Sequence, residues 1–290
     1  MYLVYGPTGY VGKKFTDELI KRNLPHVIVR REDADYYDFS NLTDAVQMVN
    51  PKFIINCAGY VGKPNVDACE DEKEETLKGN MTFPRLLSRL SVLFDVPLAH
   101  VSSGCIYTGT RADGKGFTEE DPPNFCFDSP PCSYYSGSKA EGEKMIKAMA
   151  EKYYIWRLRI PFDENDNARN YLSKLQRYEK LLNAENSISH LGDFVNACID
   201  CLQKEVPFGI YNIVNTGSTT TKEVVKKIKK LRPSKKRFKF WADDEEFYKL
   251  AAKTPRSNCV MDNSKLLAAG IKMRSTEEAL EDSLKNWRPE

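Results

Sequence analysis

An apolar run at the start of the 290-residue chain, Leu3-Val4-Tyr5, meets Gly6-Pro7-Thr8-Gly9-Tyr10-Val11-Gly12, after which Phe15, Leu19 and Ile20 recur at helical spacing. A short buried strand that turns on glycines directly into an amphipathic helix predicts the first unit of an α/β sheet. Further short apolar runs, Val27-Ile28-Val29, Phe53-Ile54-Ile55 and Leu98-Ala99-His100-Val101, alternate with helical segments over roughly 42–50 and 68–94. A helix around 138–152, a strand at Tyr154–Leu158 and another at Ile210–Val214 continue the series. Strands that are apolar on both faces must be covered on both faces, so the expected fold is a Rossmann-type, doubly wound parallel sheet. Two stretches fit it poorly, 161–186 and 215–290, and are expected to build a smaller substrate-binding unit, leaving 1–160 and 187–214 for the sheet.

Charge and composition exclude several classes. Lys and Arg number 43 against 41 Asp and Glu, a net +2 that gives no reason to expect a nucleic acid partner. No apolar stretch approaches the ~18 residues of a membrane span, and the first residues are too short a run, without a basic flank, for a secretory signal. A cytoplasmic protein without membrane contact is expected. Eight cysteines scattered over this length lack the density of a disulfide framework, and the Cys198-x-x-Cys201 pair sits on an apolar helix face with no second ligand pair. With three histidines far apart in sequence, no metal is expected. Lys222 to Lys239 carries ten basic residues, but Val224, Val225, Ile228 and Leu231 fall at helical spacing, so the lysines read as the solvent side of an amphipathic helix. The acidic run Asp243–Glu246 then offsets their field.

The glycines are spaced G-x-x-G-x-x-G between the first strand and first helix, a turn that lets backbone approach a pyrophosphate and aims helix amides at it. Tight turns also use glycine for conformation alone. Where an acidic residue would suit a ribose hydroxyl, at the end of the second strand, stand Arg30 and Arg31, which suit a 2′-phosphate and hence NADPH. Glu32 keeps NADH open, and solvated surface is the alternative for both arginines. Asp38 either reaches the adenine or terminates a short strand.

Tyr135 and Lys139 form Y-x-x-x-K, one helical turn apart on one face. A phenol beside an ammonium is expected to have its pKa lowered, so that it can deliver a proton to a developing alkoxide. Ser103, at the end of the 98–101 strand, either donates to a substrate carbonyl beside Tyr135 or caps the strand.

Gly6, Gly9, Gly12, Ser103 and Tyr135-x-x-x-Lys139 together resemble an extended short-chain dehydrogenase/reductase over nearly the whole chain. Gly62–Glu70, Gly104–Tyr107, Phe117–Asp121, Arg157–Pro161, Ala168–Tyr171 and Arg256–Asn258 are similar to the nucleotide-rhamnose synthase/epimerase-reductase enzymes, relatives of dTDP-4-dehydrorhamnose reductase. The resemblance implies 3,5-epimerisation and NADPH-dependent 4-reduction of a nucleotide-linked 4-keto-6-deoxyglucose, with UDP favoured over dTDP. It also implies a separate 4,6-dehydratase to supply that nucleotide sugar, because the dehydratase part of plant relatives is absent here, and admits a homodimer. Around the cofactor it places the turn residues Gly6, Thr8, Gly9, Tyr10, Val11 and Gly12. Arg30, Arg31, Asp38 and Phe39 follow, then Ala58, Gly59, Asn80, Tyr135, Lys139 and Pro161. Around the substrate it places Asn65, Ser103, Gly104, Cys105, Asn170, Lys174 and Arg256. Many reductase relatives read Arg-Pro where this chain reads Pro255-Arg256.

Cys105 and Lys174 match the acid–base pair of the epimerising enzymes. A C4 ketone acidifies the protons at C3 and C5, and epimerisation needs one group to remove a proton and another to return it from the opposite face. If the chain stays extended, Cys105 lies on the same side as Ser103, two residues before it. Read without the resemblance, Cys105 is a small buried residue and Lys174 a helix-surface one. The competing readings are a reductase only, a GDP-fucose-forming enzyme, which pairs its cysteine with a histidine, and a non-catalytic regulatory subunit of the same fold.

Overall fold

The computed structural model describes residues 1–232 and 236–289. Six strands, β1 Tyr2–Tyr5, β2 His26–Val29, β3 Phe53–Asn56, β4 Leu98–Ser103, β5 Tyr153–Leu158 and β6 Gly209–Asn212, form one sheet in the order β6-β5-β4-β3-β1-β2. Every pairing in it is parallel. The chain leaves β1 for β2 on one side and returns past it to β3 on the other, so strand order reverses at β1 and a crevice opens at its carboxyl end. Gly6 follows β1 there, and Cys57 and Ala58 follow β3.

The principal helices are α1 Tyr10–Lys21, α2 Phe39–Val49, α3 Phe83–Phe94, α4 Tyr134–Met149, α5 Tyr171–Arg177, α6 Leu191–Gln203, α7 Thr221–Leu231 and α8 Thr276–Lys285. Alternation along the strands sends Val4 and Ile55 into one core with Phe15 and Leu19 of α1 and Phe194, Cys198 and Cys201 of α6. Leu3 and Ile54 face the other way, onto Leu42 of α2, Leu87 and Leu90 of α3 and Ile146 of α4. A separate core packs Phe162, Leu172, Leu175 and Leu181 against Val224, Val225 and Ile228 of α7 and Leu280 and Leu284 of α8. Leu266 and Ile271, expected with the smaller unit, instead lie in the sheet's own core beside Tyr154 and Tyr211. The basic segment behaves as expected through α7, and its positions 233–235 lie outside the described residues.

Several boundaries differ from the sequence expectation, each for a local reason. Helix α2 starts at Phe39 because the Asp38 carboxylate accepts the Ser40 amide, 2.8 Å, and it ends at Asn50, which takes a left-handed φ of 42°. Asp38 is therefore a helix cap and not a strand end. The long helix over 68–94 breaks at Glu72 and widens into a π turn at Lys78–Thr82. Pro84 has no N–H to offer the carbonyl one turn back, and the wider turn accommodates it. Ser133 caps α4 through the Ser136 amide, which moves its start to Tyr134 and puts Tyr135 in the first turn; it ends at Met149, where Ala150 turns extended. Strand β6 closes at Asn212. Among the described residues no helix is long and apolar enough to cross a membrane.

Candidate functional site

The glycine turn divides into positions the protein itself requires and one it does not. Gly6 has φ +73°, and a Cβ there would lie 2.5 Å from the Ala58 nitrogen; at Gly12 it would lie 1.9 Å from the Gly6 carbonyl. At Gly9 the nearest atom would be 3.7 Å away, an ordinary contact. Gly9 is the N-cap of α1 with no side-chain cap, and no acidic residue lies in that helix's first turn. Uncapped amides beside a residue that needs no space for its own fold suit an anion approaching the backbone.

Tyr36 holds this turn in place. Its hydroxyl donates to the Val29 carbonyl and accepts the Gly6 amide, 3.0 Å, while its ring stacks on Phe83 at 4.6 Å. Beside it a cleft of about 320 Å³ is lined by Arg31, Tyr36, Tyr37 and the acidic Glu32, Asp33 and Asp35. Arg30 and Arg31 are exposed, with Arg31 5.8 Å from the Tyr36 ring centroid and Arg30 3.8 Å from Glu32. Thr8 is exposed in the turn, Val11 packs into the sheet core, and the Tyr10 hydroxyl donates to Asp163 at 3.1 Å. Phe39 lies 4.3 Å beneath the Arg89 guanidinium. Pro161 belongs to a two-residue strand paired with Ser189. Asn80 is fully buried, accepting the Tyr60 amide at 2.8 Å and donating to the Tyr60 carbonyl and Ser138. It thereby props Gly59, where a Cβ would sit 3.1 Å from the Asn80 oxygen and 3.9 Å from Lys139 Nζ.

Ser103 ends β4, and its Oγ accepts the Cys105 amide, 3.2 Å, which starts a 3-10 turn at Gly104–Ile106. The extended geometry expected for 103–105 is thus absent, and Cys105 lies in a turn. Gly104 permits it, since a Cβ there would lie 2.2 Å from the Met261 sulfur. Tyr135 is half-buried beside Ser103, and desolvation pushes its phenol well above the ordinary range; Cys105 adds to this, while the Ser103 hydrogen bond and Arg159 oppose it. The lowering expected from Lys139 does not dominate. Lys139 donates instead to the Val101 carbonyl, 3.0 Å, and stands 3.5 Å from His100 Nε2; burial brings its ammonium down to about 8, against the pull of Glu143 and Cys105. The Ala58 amide fixes the Asn56 side chain, whose Nδ2 donates to His100 Nδ1 at 2.9 Å. A neutral imidazole then carries its proton on Nε2, facing Lys139. Burial and Lys139 both keep His100 uncharged.

Glu143 continues the Tyr135–Lys139 face by one more turn. It binds the Arg157 guanidinium at 2.8 Å and accepts from Ser102 at 2.6 Å, while Arg157 also donates to Tyr107, 2.8 Å. His100, Glu143 and Arg157 were missed by sequence reasoning. The available signal was the i, i+4, i+8 spacing of Tyr135, Lys139 and Glu143.

Lys174 lies half-buried on α5, near Cys105, Arg169 and Arg256. Burial, and after it Arg169, lower its ammonium, and Cys105 acts in the opposite direction. Asn170 does not join it: fully buried, it caps α5 through the Leu172 amide and donates to Asp163 and Asn165. Arg256 pairs with Asp67 at 2.6 Å, leaving one guanidinium nitrogen and one carboxylate oxygen buried without partners. Asn65 accepts the Asp67 amide, and Arg169 donates to the Gly62 carbonyl, so 62–67 forms a rim beside Lys174. Among the described residues no group of His, Cys, Asp and Glu is placed to hold a metal.

Comparison with known proteins agrees with this architecture. A trifunctional UDP-glucose 4,6-dehydratase/UDP-4-keto-6-deoxy-D-glucose 3,5-epimerase/UDP-4-keto-L-rhamnose-reductase of Arabidopsis thaliana is 30% identical over 96% of this chain, which spans 41% of that protein's length. A bifunctional dTDP-4-dehydrorhamnose 3,5-epimerase/dTDP-4-dehydrorhamnose reductase of the same plant is 28% identical over 96% of this chain and 90% of its own. The crystal structure of a UDP-rhamnose synthase from Acanthamoeba polyphaga mimivirus superposes with a TM-score of 0.90 at 22% identity, covering 98% of both chains. A dTDP-4-dehydrorhamnose reductase from Bacillus anthracis in complex with NADP gives 0.82 at 23% identity, covering 99% of this chain and 97% of that one. The family profile described as RmlD substrate binding domain matches residues 1–288, and the chain belongs to that family.

Proposed function

We propose that this chain epimerises a nucleotide-linked 4-keto-6-deoxyglucose at C3 and C5 and then reduces it at C4 with NADPH, giving the L-rhamnose nucleotide. The observation that carries the reading is the position of Cys105, in the 3-10 turn that follows Ser103, where its amide donates to Ser103 Oγ and its sulfur accepts from Arg159. From there it interacts with Tyr135 and Lys139 of the reductase set and with Lys174 of the epimerase set. The related plant and viral enzymes support the same substrate class, with UDP as the favoured nucleotide.

The uncapped start of α1, Gly9 and the cleft at Arg31 and Tyr36 fit a dinucleotide, with NADPH favoured by Arg30 and Arg31 and NADH as the alternative. When bound, it supplies the hydride. Ser103 donates to the C4 carbonyl oxygen, and Tyr135, which keeps its proton at neutral pH, delivers it to that oxygen as charge develops. Lys139 supports the phenolate that remains. In the preceding step Cys105 removes the proton at C3 or C5 and Lys174 returns one from the opposite face. The sheet unit holds the dinucleotide, the smaller core with α5 and the 62–67 rim holds the sugar nucleotide, and a separate dehydratase supplies the keto sugar. The decisive experiment offers UDP- and dTDP-4-keto-6-deoxyglucose in heavy water without NADPH, then adds NADPH. Deuterium at C3 and C5, followed by NADPH oxidation to the L-rhamnose nucleotide, is expected. No exchange, with reduction only of a pre-epimerised sugar, would leave a plain reductase.

A further inference from the structure

Two arginines leave the end of β5 and both are buried, 1% exposed at Arg157 and 3% at Arg159. Arg157 is matched by the Glu143 carboxylate. Among the described residues no carboxylate matches Arg159. Its Nη2 donates to Asn186 Oδ1 and to the Ser257 carbonyl, each at 2.5 Å, its Nε has no partner, and its Nη1 donates to Cys105 Sγ at 3.0 Å. A guanidinium cannot shed its proton, and a buried cation without a counter-charge is strongly unfavourable. Two sulfurs lie close enough to supply one. Cys259 donates its own proton to the Gly104 carbonyl at 3.4 Å, and burial pushes that thiol up, so it stays neutral. Cys105 Sγ instead accepts from the guanidinium, which places it as the counter-group to Arg159.

We propose that Arg159 is the positioning residue that makes Cys105 a base: its guanidinium holds the sulfur as a thiolate in the resting enzyme and fixes its position. The inference rests on the epimerase reading above. Among the described residues, the charged and titratable groups that interact with Cys105 are Arg159 after β5, Tyr135 and Lys139 on α4, Lys174 on α5 and Cys259 on the C-terminal segment. The resting thiol releases its proton to solvent. In the reaction the thiolate takes the C3 or C5 proton, an S–H bond forms as the C–H bond breaks, and the electron pair moves to the C4 oxygen. Lys174 then gives a proton to the opposite face, so no oxidant or reductant enters.

The test is peptide-resolved alkylation of the full chain by iodoacetamide across a pH range, because only the thiolate reacts. Cys132 is the internal control, also half-buried but with its thiol pushed up by burial. Between about pH 7 and 9.5 the Cys105 rate should rise less than about threefold and the Cys132 rate more than about tenfold. Arg159→Gln should slow Cys105 alkylation at about pH 7 by roughly tenfold or more and restore a steep pH dependence, and Arg159→Lys should recover part of the rate. A Cys105 rate in wild type as steep in pH as that of Cys132 overturns the inference without any variant. So does an Arg159→Gln rate equal to wild type. Absence of C3/C5 exchange in wild type, with the alkylation pattern as expected, would instead overturn the epimerase reading and leave the Arg159–Cys105 pairing intact.

Discussion

Lys139 holds its charge weakly in the resting site. Burial brings its ammonium to about 8, and its neighbour His100 presents an N–H, which favours the neutral amine. A lysine is charged below its pKa, so the form that supports a phenolate at Tyr135 is full below pH ~8 and is lost above it. The kcat/KM for NADPH oxidation, which reports the free enzyme, should fall on the alkaline side with an apparent pKa near 8; a plateau past pH ~9.5 would show that this charge is not needed. At the neighbouring end of β2, Arg30 and Arg31 are exposed and share their surroundings with Glu32, Asp33 and Asp35. Replacing both arginines by alanine should raise the KM for NADPH roughly tenfold and leave that for NADH within about twofold; equal changes would remove the 2′-phosphate argument.

The turn from β1 to α1 allows the protein's demand for glycine to be separated from the ligand's. Gly12→Ala puts a methyl 1.9 Å from the Gly6 carbonyl, so the turn must open and stability should drop by about 1–3 kcal/mol in urea unfolding. Gly9→Ala has room and an ordinary backbone, φ −71°, so the fold should survive unchanged. NADPH affinity should nevertheless fall several-fold in Gly9→Ala, measured by nucleotide fluorescence; undiminished binding would show that the pyrophosphate does not approach there. The strand–turn–helix unit was readable because its apolar periodicity and its glycines are contiguous in sequence. Element starts were less readable, since Asp38 and Ser133 sit among other capping-type residues and only the observed bonds to Ser40 and Ser136 distinguish them. At Gly104, which opens the 3-10 turn, Met261, far along the chain, leaves no room for a Cβ. Arg159 and Cys105 are 54 positions apart, and Glu143 finds Arg157 on another element. Local periodicity carries no record of such pairings, which is why the tyrosine and lysine on one helix face were legible and the groups tuning them were not.

The sheet core and the smaller core are joined by a band of charge. Asp193, in the first turn of α6, accepts the Arg274 guanidinium at 2.9 Å and the Asn215 amide at 2.8 Å, while Arg274 reaches Asp282 on α8 at 2.7 Å. His190 takes the Asp193 amide on Nδ1 at 3.1 Å and faces Glu164 at 3.4 Å, and Glu164 lies 3.8 Å from Lys14 on α1. Burial opposes charge at Asp193, but His190, Arg274 and Asn215 outweigh it and bring the carboxyl down to about 2. A carboxyl whose folded pKa lies below its unfolded value contributes stability above the unfolded value and loses it as pH falls through the folded one. For Asp193 that window runs from about pH 4 down to about pH 2, and the contribution at neutral pH is on the order of 2 kcal/mol. The urea midpoint of wild type should therefore fall steadily below about pH 4. Asp193→Asn should start lower at neutral pH and decline less steeply through that window, because the asparagine has no proton to take up. Parallel wild-type and variant curves would place the acid-sensitive contact elsewhere. The same substitution leaves Tyr135, Lys139 and Cys105 untouched, so a simultaneous loss of NADPH oxidation at neutral pH would mean that activity requires the two cores to be held together.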